Sequence, residues 1–239
     1  MLLHWPVLLI LVSGMVASVW LQKLTLAGAN CGGIIGFIVF AGAGYTGLFL
    51  MAAFFILGTA ATAWGKQDKI AKGLAHKKES RRTAAQVFAN AGGAALVALA
   101  ALLYPHQKEL LQWMVAAVFS SATADTVSSE LGNVYGKRFY NILTFRKDGK
   151  GLDGVVSSEG TFAGLAGSLM IATVFSMCSG WNAAAFITII IAGTVGNISD
   201  SILGAALERK GQLENNSVNF INTVIAAFTA ALLYVVFKS

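Results

Sequence analysis

Residues 123–161 have the sequence TADTVSSELGNVYGKRFYNILTFRKDGKGLDGVVSSEGT. The stretch begins in a hydrophobic run that carries Asp125 and Glu130 near its end. It continues as a basic loop and reaches Glu159 just before the next hydrophobic run. Ionisable side chains at membrane depth are costly unless they face a cavity, a partner or an ion. The stretch therefore predicts a functional site where two hydrophobic segments meet a polar loop.

The composition of the whole chain predicts an integral membrane protein. Of its 239 residues, 56% are hydrophobic and 12% are charged, and the mean hydropathy is +0.69. Soluble domains usually carry about 25% charged residues. Because the apolar runs approach the roughly 20 residues that a spanning helix needs, helices are favoured over barrel strands. We predict an all-α, polytopic transmembrane bundle of about seven to eight helices, forming one integral membrane domain over residues 1–239.

Eight hydrophobic segments are predicted, with the second and third forming either two helices or one broken unit. The sequence GAGYTG at 42–47 follows no β-strand, so it indicates a glycine-rich turn rather than a dinucleotide site. The segments are 4–21, 25–42, 46–64, 85–104, 112–131, 161–178, 182–206 and 217–237.

The basic residues predict the orientation. With eight segments, the loops after segments 1, 3, 5 and 7 share one side, whereas the other side has only Lys108 and Lys238. The positive-inside rule then predicts cytoplasmic loops and a cytoplasm-facing site. We expect a cell (inner) membrane as the location, because nothing in the sequence looks like a transit peptide. The net charge of +6 follows either from topology alone or from a rim of basic loop residues that attracts an anionic lipid phosphate or nucleotide. Its distribution indicates no nucleic-acid partner. The loops carry Lys23, Lys66, Lys69, Lys72, Lys77, Lys78, Arg81, Arg82, Lys137, Arg138, Arg146, Lys147, Lys150, Arg209 and Lys210.

The first candidate site lies at the end of segment 5. Asp125 and Ser129 are four residues apart and share a helix face. Leu131 and Gly132 predict that the helix stops there, which would let Glu130 turn back toward the site. The alternative for such a carboxylate is an ion pair with a lysine at the membrane surface.

Segment 7 has a similar pattern. Asp200, Gly204 and Glu208 are spaced as one row on a helix, with Ser201 beside them and the glycine leaving room for a ligand. Two acidic helices under a basic rim suit Mg²⁺ bound to phosphates, since Mg²⁺ takes one or two carboxylates together with water and phosphate oxygens.

Amide side chains form a third candidate group. Asn215, Asn219 and Asn222 are predicted to share a face at the start of segment 8, where they would bind a phosphate or form hydrogen bonds between helices. Gln86 and Asn90 give segment 4 a smaller polar edge.

The loop before segment 6 is rich in glycine and basic residues, which suits contact with phosphates, although it lacks the P-loop pattern. Ser157, Ser158 or Thr161 would cap segment 6, and capping alone would explain the position of Glu159.

Several stretches together resemble the membrane family called domain of unknown function 92, which includes transmembrane protein 19 and phytyl-phosphate kinases. The resemblance covers most of the chain. A fainter similarity links Gly136-Lys137 and Glu159-Gly160-Thr161 to CTP-using polyprenol kinases and lipid cytidylyltransferases. The stretches are Arg81-Arg82-Thr83, 86–93, ATADTVSSELG at 122–132, EGTFAGLAGS at 159–168, GNISDSILGAALE at 196–208 and LENNSVNFINT at 213–223.

The resemblance implies a kinase that converts a prenyl (phytyl-like) monophosphate to the diphosphate with a nucleoside triphosphate, CTP or ATP. On this hypothesis Asp125 and Asp200 hold Mg²⁺, and Glu130 and Lys147 are also catalytic. The remaining site residues contact lipid phosphate or nucleotide; they are Arg81, Arg82, Asn90, Ser129, Lys137, Arg146, Glu159, Gly160, Thr161, Ser201, Glu208, Asn215, Asn216 and Asn219.

Two alternatives remain at this point. Cytidylyl transfer would give a CDP-linked lipid, and a transporter would use its intramembrane carboxylates to bind an ion or a solute. The pair Asp125-Thr126 and the pair Asp200-Ser201 give the transporter some support, because transporters often contain repeats. The sequence indicates membrane lipids as surroundings and points to no particular oligomeric state.

Overall fold

The computed structural model describes residues 5–71 and 81–238. Within these ranges the chain is an all-α bundle, as predicted, with two very short strands in one loop. The basic residues Lys72, Lys77 and Lys78 of the predicted rim lie outside the described residues. The elements are α1 (Trp5–Trp20), α2 (Leu26–Ala63), α3 (Lys66–Ala71), α4 (Ala84–Leu103), a 3₁₀ turn (Pro105–Gln107), α5 (Lys108–Tyr135), β1 (Tyr140–Asn141), β2 (Val155–Val156), α6 (Ser158–Ser179), α7 (Ala183–Leu203), a π turn (Gly204–Glu208) and α8 (Asn215–Lys238).

Helix α2 is broken into a helical hairpin at Gly44. This residue has φ +67° and ψ −157°, a conformation open mainly to glycine. A side chain at position 36 would lie 3.5 Å from the Met51 sulfur, yet in one straight helix residues 36 and 51 would be roughly 22 Å apart. The two halves therefore fold back on each other, and the second and third predicted segments are separate spans.

Helix α5 is the central helix of the bundle. It packs against α2, α4, α6, α7 and α8, and its middle is fully buried from Val115 to Ala124. Close approach to α6 depends on small residues, because a Cβ atom at Gly132 would lie 3.1 Å from the Cα atom of Gly160. The carboxylates of α5 are thus held on a helix that is fixed from several sides.

Contacts between loops confirm that the loops after segments 1, 3, 5 and 7 share one face of the bundle, which we call the basic face. Leu24 pairs with Arg82 in a parallel bridge, and the Trp64 indole donates to the Tyr135 hydroxyl at 2.7 Å. The loop after α5 is joined to the loop after α7 by an ion pair described below. At the opposite face, Lys238 pairs with Glu109 at 3.0 Å.

Five of the described helices are long and apolar enough to cross a membrane. They are α2, α4, α6, α8 and α7 with its π turn. The 16-residue α1 is shorter, and α5 is more polar. Long apolar helices with apolar side chains on the outside define an integral membrane bundle.

The predicted end of segment 5 is wrong. Helix α5 continues past Gly132 to Tyr135 and ends at Gly136, whose N–H still bonds the carbonyl oxygen of Gly132. Glycine at 132 allows the close contact with α6 rather than a helix stop, because a Cβ atom there would crowd Gly160.

Candidate functional site

A polar cavity of about 350 Å³ opens at the basic face, where the ends of α4, α5, α6, α7 and α8 converge. The loop that contains β2 forms one of its walls. Its volume is at the small end of the range for ligand sites. The lining includes the following residues that the sequence predicted: Arg82, Asn90, Asp125, Ser129, Glu130, Gly160, Asp200, Ser201, Glu208, Asn215 and Asn219.

Asp125 of α5 and Asp200 of α7 both line the cavity, and their carboxyl groups are close enough to interact directly. Asp200 is oriented by α8, because the Asn222 amide donates to its Oδ1 at 2.7 Å. The amide oxygen of Asn222 in turn accepts a bond from the Ser121 hydroxyl at 2.9 Å. Three helices therefore fix the position of this carboxyl pair.

The predicted asparagine row is divided between its two proposed roles. Asn222 is 1% exposed and forms hydrogen bonds between helices. Asn215 and Asn219 line the cavity, and the Asn219 amide lies 3.5 Å from the Asn215 amide oxygen.

The predicted regular row of Asp200, Gly204 and Glu208 is interrupted. Residues 204–208 form a π turn in which the Arg209 N–H bonds the Gly204 carbonyl oxygen at 3.0 Å. Single π turns within helices are frequent at functional sites. All three residues of the row still line the cavity, and Asn215 lies beside Glu208.

The loop wall of the cavity docks on this π turn. Gly154 has φ +70°, and a Cβ atom there would collide with the backbone of Ala205, so only glycine fits. Asp148 anchors the same loop by pairing with Arg209 at 2.7 Å. The hydrogen bond from Arg209 lowers the pKa of Asp148, as does the bond from the Gly149 N–H. Asp153, beside Gly154, adds a further carboxylate near Asp200 and Glu208.

Glu130 lines the cavity and forms an ion pair with a lysine, which was the alternative to a functional role. Its partner is Lys69 of α3, which is 3% exposed. The Lys69 ammonium group also donates to the carbonyl oxygens of Ala61 and Thr62 at the end of α2. This pair fixes α3 against the rim of the cavity.

Arg82 supplies the guanidinium group among the described residues that line the cavity. Its backbone pairs with the segment after α1, since its N–H donates to Lys23 and its carbonyl oxygen accepts from Thr25. The guanidinium carbon lies 5.4 Å from the Phe54 ring centroid. Burial lowers the pKa of Arg82, and the Glu130 carboxylate opposes that change.

The charge of the cavity suits bound cations. Among the described residues that line it, five are carboxylates and one is a guanidinium. No group of three or more acidic, histidine or cysteine side chains in the described ranges is arranged to hold a metal ion by itself. Mg²⁺ does not need such a group, because it keeps several waters and takes one or two carboxylates with substrate phosphates. The adjacent Asp125 and Asp200 fit that requirement.

Seven predicted site residues do not line the cavity. Lys137, Arg146 and Lys147 are exposed on the loop after α5, and Arg81 is exposed beside Arg82. Ser157, which is not one of these seven and does line the cavity, caps α6 by accepting from the Gly160 N–H, as predicted. The remaining three lie near helix starts: Glu159 accepts a bond from Ser158, Thr161 bonds the Ser157 carbonyl oxygen, and Asn216 is half-buried in α8.

Several residues that line the cavity were not among the predicted site residues, chiefly Asp153, Asn133 and Asn197. Asp153 stands between two glycines in Gly151-Leu152-Asp153-Gly154, a pattern of a tight turn that places a carboxylate. Asn197 lies one turn before Asp200 along α7 and could have been assigned to the same helix face.

The fold and the cavity define an integral membrane helical bundle with a polar site at one face. Residues 8–227 match the family described as "Integral membrane protein DUF92", and the chain belongs to that family. No solved structure matches the chain.

Three relatives show how widely this family is distributed. The uncharacterized membrane protein sll0875 of Synechocystis is 34% identical over 82% of this chain and 77% of its own length. The uncharacterized membrane protein MJ0933 of Methanocaldococcus jannaschii is 35% identical over 84% of this chain and 82% of its own. Protein VTE6, chloroplastic, of Arabidopsis thaliana is 32% identical over 88% of this chain and 65% of its own length.

Proposed function

We propose that the protein is a kinase that transfers the γ-phosphoryl group of a nucleoside triphosphate, CTP or ATP, to a membrane-embedded prenyl monophosphate. The observation that supports the proposal best is the cavity itself. It places the Asp125 and Asp200 carboxylates and the Arg82 guanidinium in one polar space at the membrane surface. The family resemblance described above implies the same class of reaction.

The reaction needs no side-chain nucleophile. An oxygen of the lipid monophosphate attacks the γ-phosphorus, the bond from that phosphorus to the β,γ-bridging oxygen breaks, and nucleoside diphosphate leaves. The attacking oxygen is already anionic, so proton removal contributes little. Positioning and charge neutralisation supply most of the catalysis of phosphoryl transfer.

Mg²⁺ would be held by Asp125 and Asp200, and when bound it neutralises charge on the phosphate oxygens. The Asn222 side chain would keep Asp200 in position for this role. Arg82 would hold the lipid phosphate, and Asn215 and Asn219 would contact the nucleotide. Lys137, Arg146 and Lys147 would attract the triphosphate from the same face, where the loop after α5 lies.

A transporter is less well supported. The cavity opens at the basic face and is partly walled by the loop around Asp153, whereas transport sites are expected near the membrane midplane. The positive-inside rule would make that face cytoplasmic, where nucleotides are found.

The products of the reaction test the proposal. Purified protein given prenyl phosphate, CTP or ATP, and Mg²⁺ should release nucleoside diphosphate and form prenyl diphosphate. Release of pyrophosphate would instead identify a cytidylyltransferase. Arg82→Gln should raise the KM for prenyl phosphate about tenfold or more, since a charge-assisted pair is lost. Arg81→Gln removes the same charge from an exposed neighbour and is the matched control.

A further inference from the structure

A second cavity, of about 300 Å³, lies between α1, both halves of α2 and the start of α4. We call it the apolar crevice. Most of its lining is aliphatic, aromatic or glycine. Ile10 and Leu21 both border it, which corresponds to about three helical turns of α1 or roughly 16 Å.

The apolar crevice adjoins the polar cavity. Arg82, Gln86 and Asn90 line both spaces. The charged residues among the described lining of the crevice are Lys23 and Arg82, and their backbones are hydrogen-bonded to each other at the basic face. One end of the crevice is therefore cationic and the rest is apolar.

We propose that the apolar crevice binds the isoprenoid chain of the substrate, with its phosphate held between Arg82 and the polar cavity. This inference rests on the proposed function and assigns the part of the molecule that selects a lipid over a water-soluble phosphate. An anionic head and a long apolar tail match a crevice with cations at one end only. The tail would run along α1 toward Ile10 while the phosphate oxygen faces Asp125 and Asp200.

Gly14 of α1 leaves open space beside the crevice. Gly14 borders the crevice, and nothing lies within 4 Å of the position that its Cβ atom would take. A large side chain there would enter the crevice without striking the backbone. Val16, on the same helix, is 64% exposed and does not border the crevice. The two positions give a matched pair of substitutions.

The test measures binding of geranylgeranyl phosphate and of Mg²⁺-nucleotide to purified protein in detergent micelles. Gly14→Phe should weaken geranylgeranyl phosphate binding about tenfold, because the aromatic ring would occupy space that the isoprenoid chain needs, and should leave nucleotide binding unchanged. Val16→Phe should leave both unchanged. Ala17→Phe, which also enters the crevice, serves if Gly14→Phe fails to fold.

Several outcomes would overturn the inference. Equal lipid affinity in Gly14→Phe, Val16→Phe and the unaltered protein would mean that bulk lipid fills the crevice, and equal losses in both variants would indicate a general surface effect. Absence of lipid phosphate binding to the unaltered protein would also overturn it.

The same variants separate this inference from the kinase assignment. If Gly14→Phe loses lipid binding although the unaltered protein forms no diphosphate, the crevice assignment stands and the kinase assignment falls. If the unaltered protein forms diphosphate and Gly14→Phe keeps the same KM for geranylgeranyl phosphate, the kinase assignment stands and the crevice assignment falls.

Discussion

Asn222 joins three helices at the candidate site, and its removal should loosen both the bundle and the carboxyl pair. Its side chain is 1% exposed, donates to Asp200 at 2.7 Å and accepts from Ser121 at 2.9 Å. Asn222→Ala breaks both hydrogen bonds at once. It leaves the Asp200 carboxylate free to turn away from Asp125.

The magnitude follows from the two bonds. A hydrogen bond to a charged group contributes about 1.5–3 kcal/mol and a neutral one about 1 kcal/mol. Hydrogen bonds between membrane helices average nearer ~0.6 kcal/mol, because the unfolded chain in the membrane also finds partners. The free energy of unfolding should therefore fall by about 1–3 kcal/mol.

Thermal unfolding in detergent measures the loss, with phosphoryl transfer measured on the same samples. Asn219→Ala is the matched control, since Asn219 lies on the same helix and has only a 3.5 Å contact with Asn215. Asn222→Ala should lower both stability and kcat, whereas Asn219→Ala should keep the stability. A change below about 0.5 kcal/mol for Asn222→Ala, the range of ordinary surface substitutions, would refute the positioning role.

Two further predictions concern ion pairs at the basic face. Lys69→Met should destabilise the protein by about 2 kcal/mol, less than the loss of a fully buried pair would cost, because Glu130 is 24% exposed. The control Lys66→Met should leave the stability unchanged. Equal shifts in the thermal unfolding of the two variants would contradict the prediction. The pKa of Asp148 is lowered from 3.8 by Arg209, so its stabilising effect on the loop is complete above pH 3.8 and is lost as the pH falls through the lowered value. Hydrogen exchange of the loop should rise in that acidic range for the unaltered protein, and Asp148→Asn should remove the dependence.

Hydrophobic length and charge distribution were enough to predict the architecture. The eight segments correspond to helices, apart from the end of segment 5, and the four loops share one side, because segment length and the position of basic residues are physical requirements of the membrane. The turn at 42–47 was predicted from its glycines, and Gly44 provides it through a positive φ.

Local geometry at the site could not be predicted in the same way. Glycine at 132 is a residue typical of helix ends, but here it allows close contact with Gly160, which depends on tertiary packing. The π turn at 204–208 packs against the loop that contains Gly154, a contact that the local sequence does not reveal. Spacing along a regular helix placed Asp200 and Glu208 in one row, and it could not show that Asp153 joins them from a loop.

The most direct test of the site is release of nucleoside diphosphate that depends on prenyl phosphate and Mg²⁺, measured for the unaltered protein, Asp125→Asn and Asp148→Asn. Asp125 faces the cavity, whereas Asp148 pairs with Arg209 outside its lining. Asp125→Asn should reduce kcat by about 100-fold or more, the usual cost of removing one group that stabilises transition-state charge, while Asp148→Asn retains most activity. Equal activity of Asp125→Asn and the unaltered protein would contradict the assignment of the cavity as a phosphoryl-transfer site.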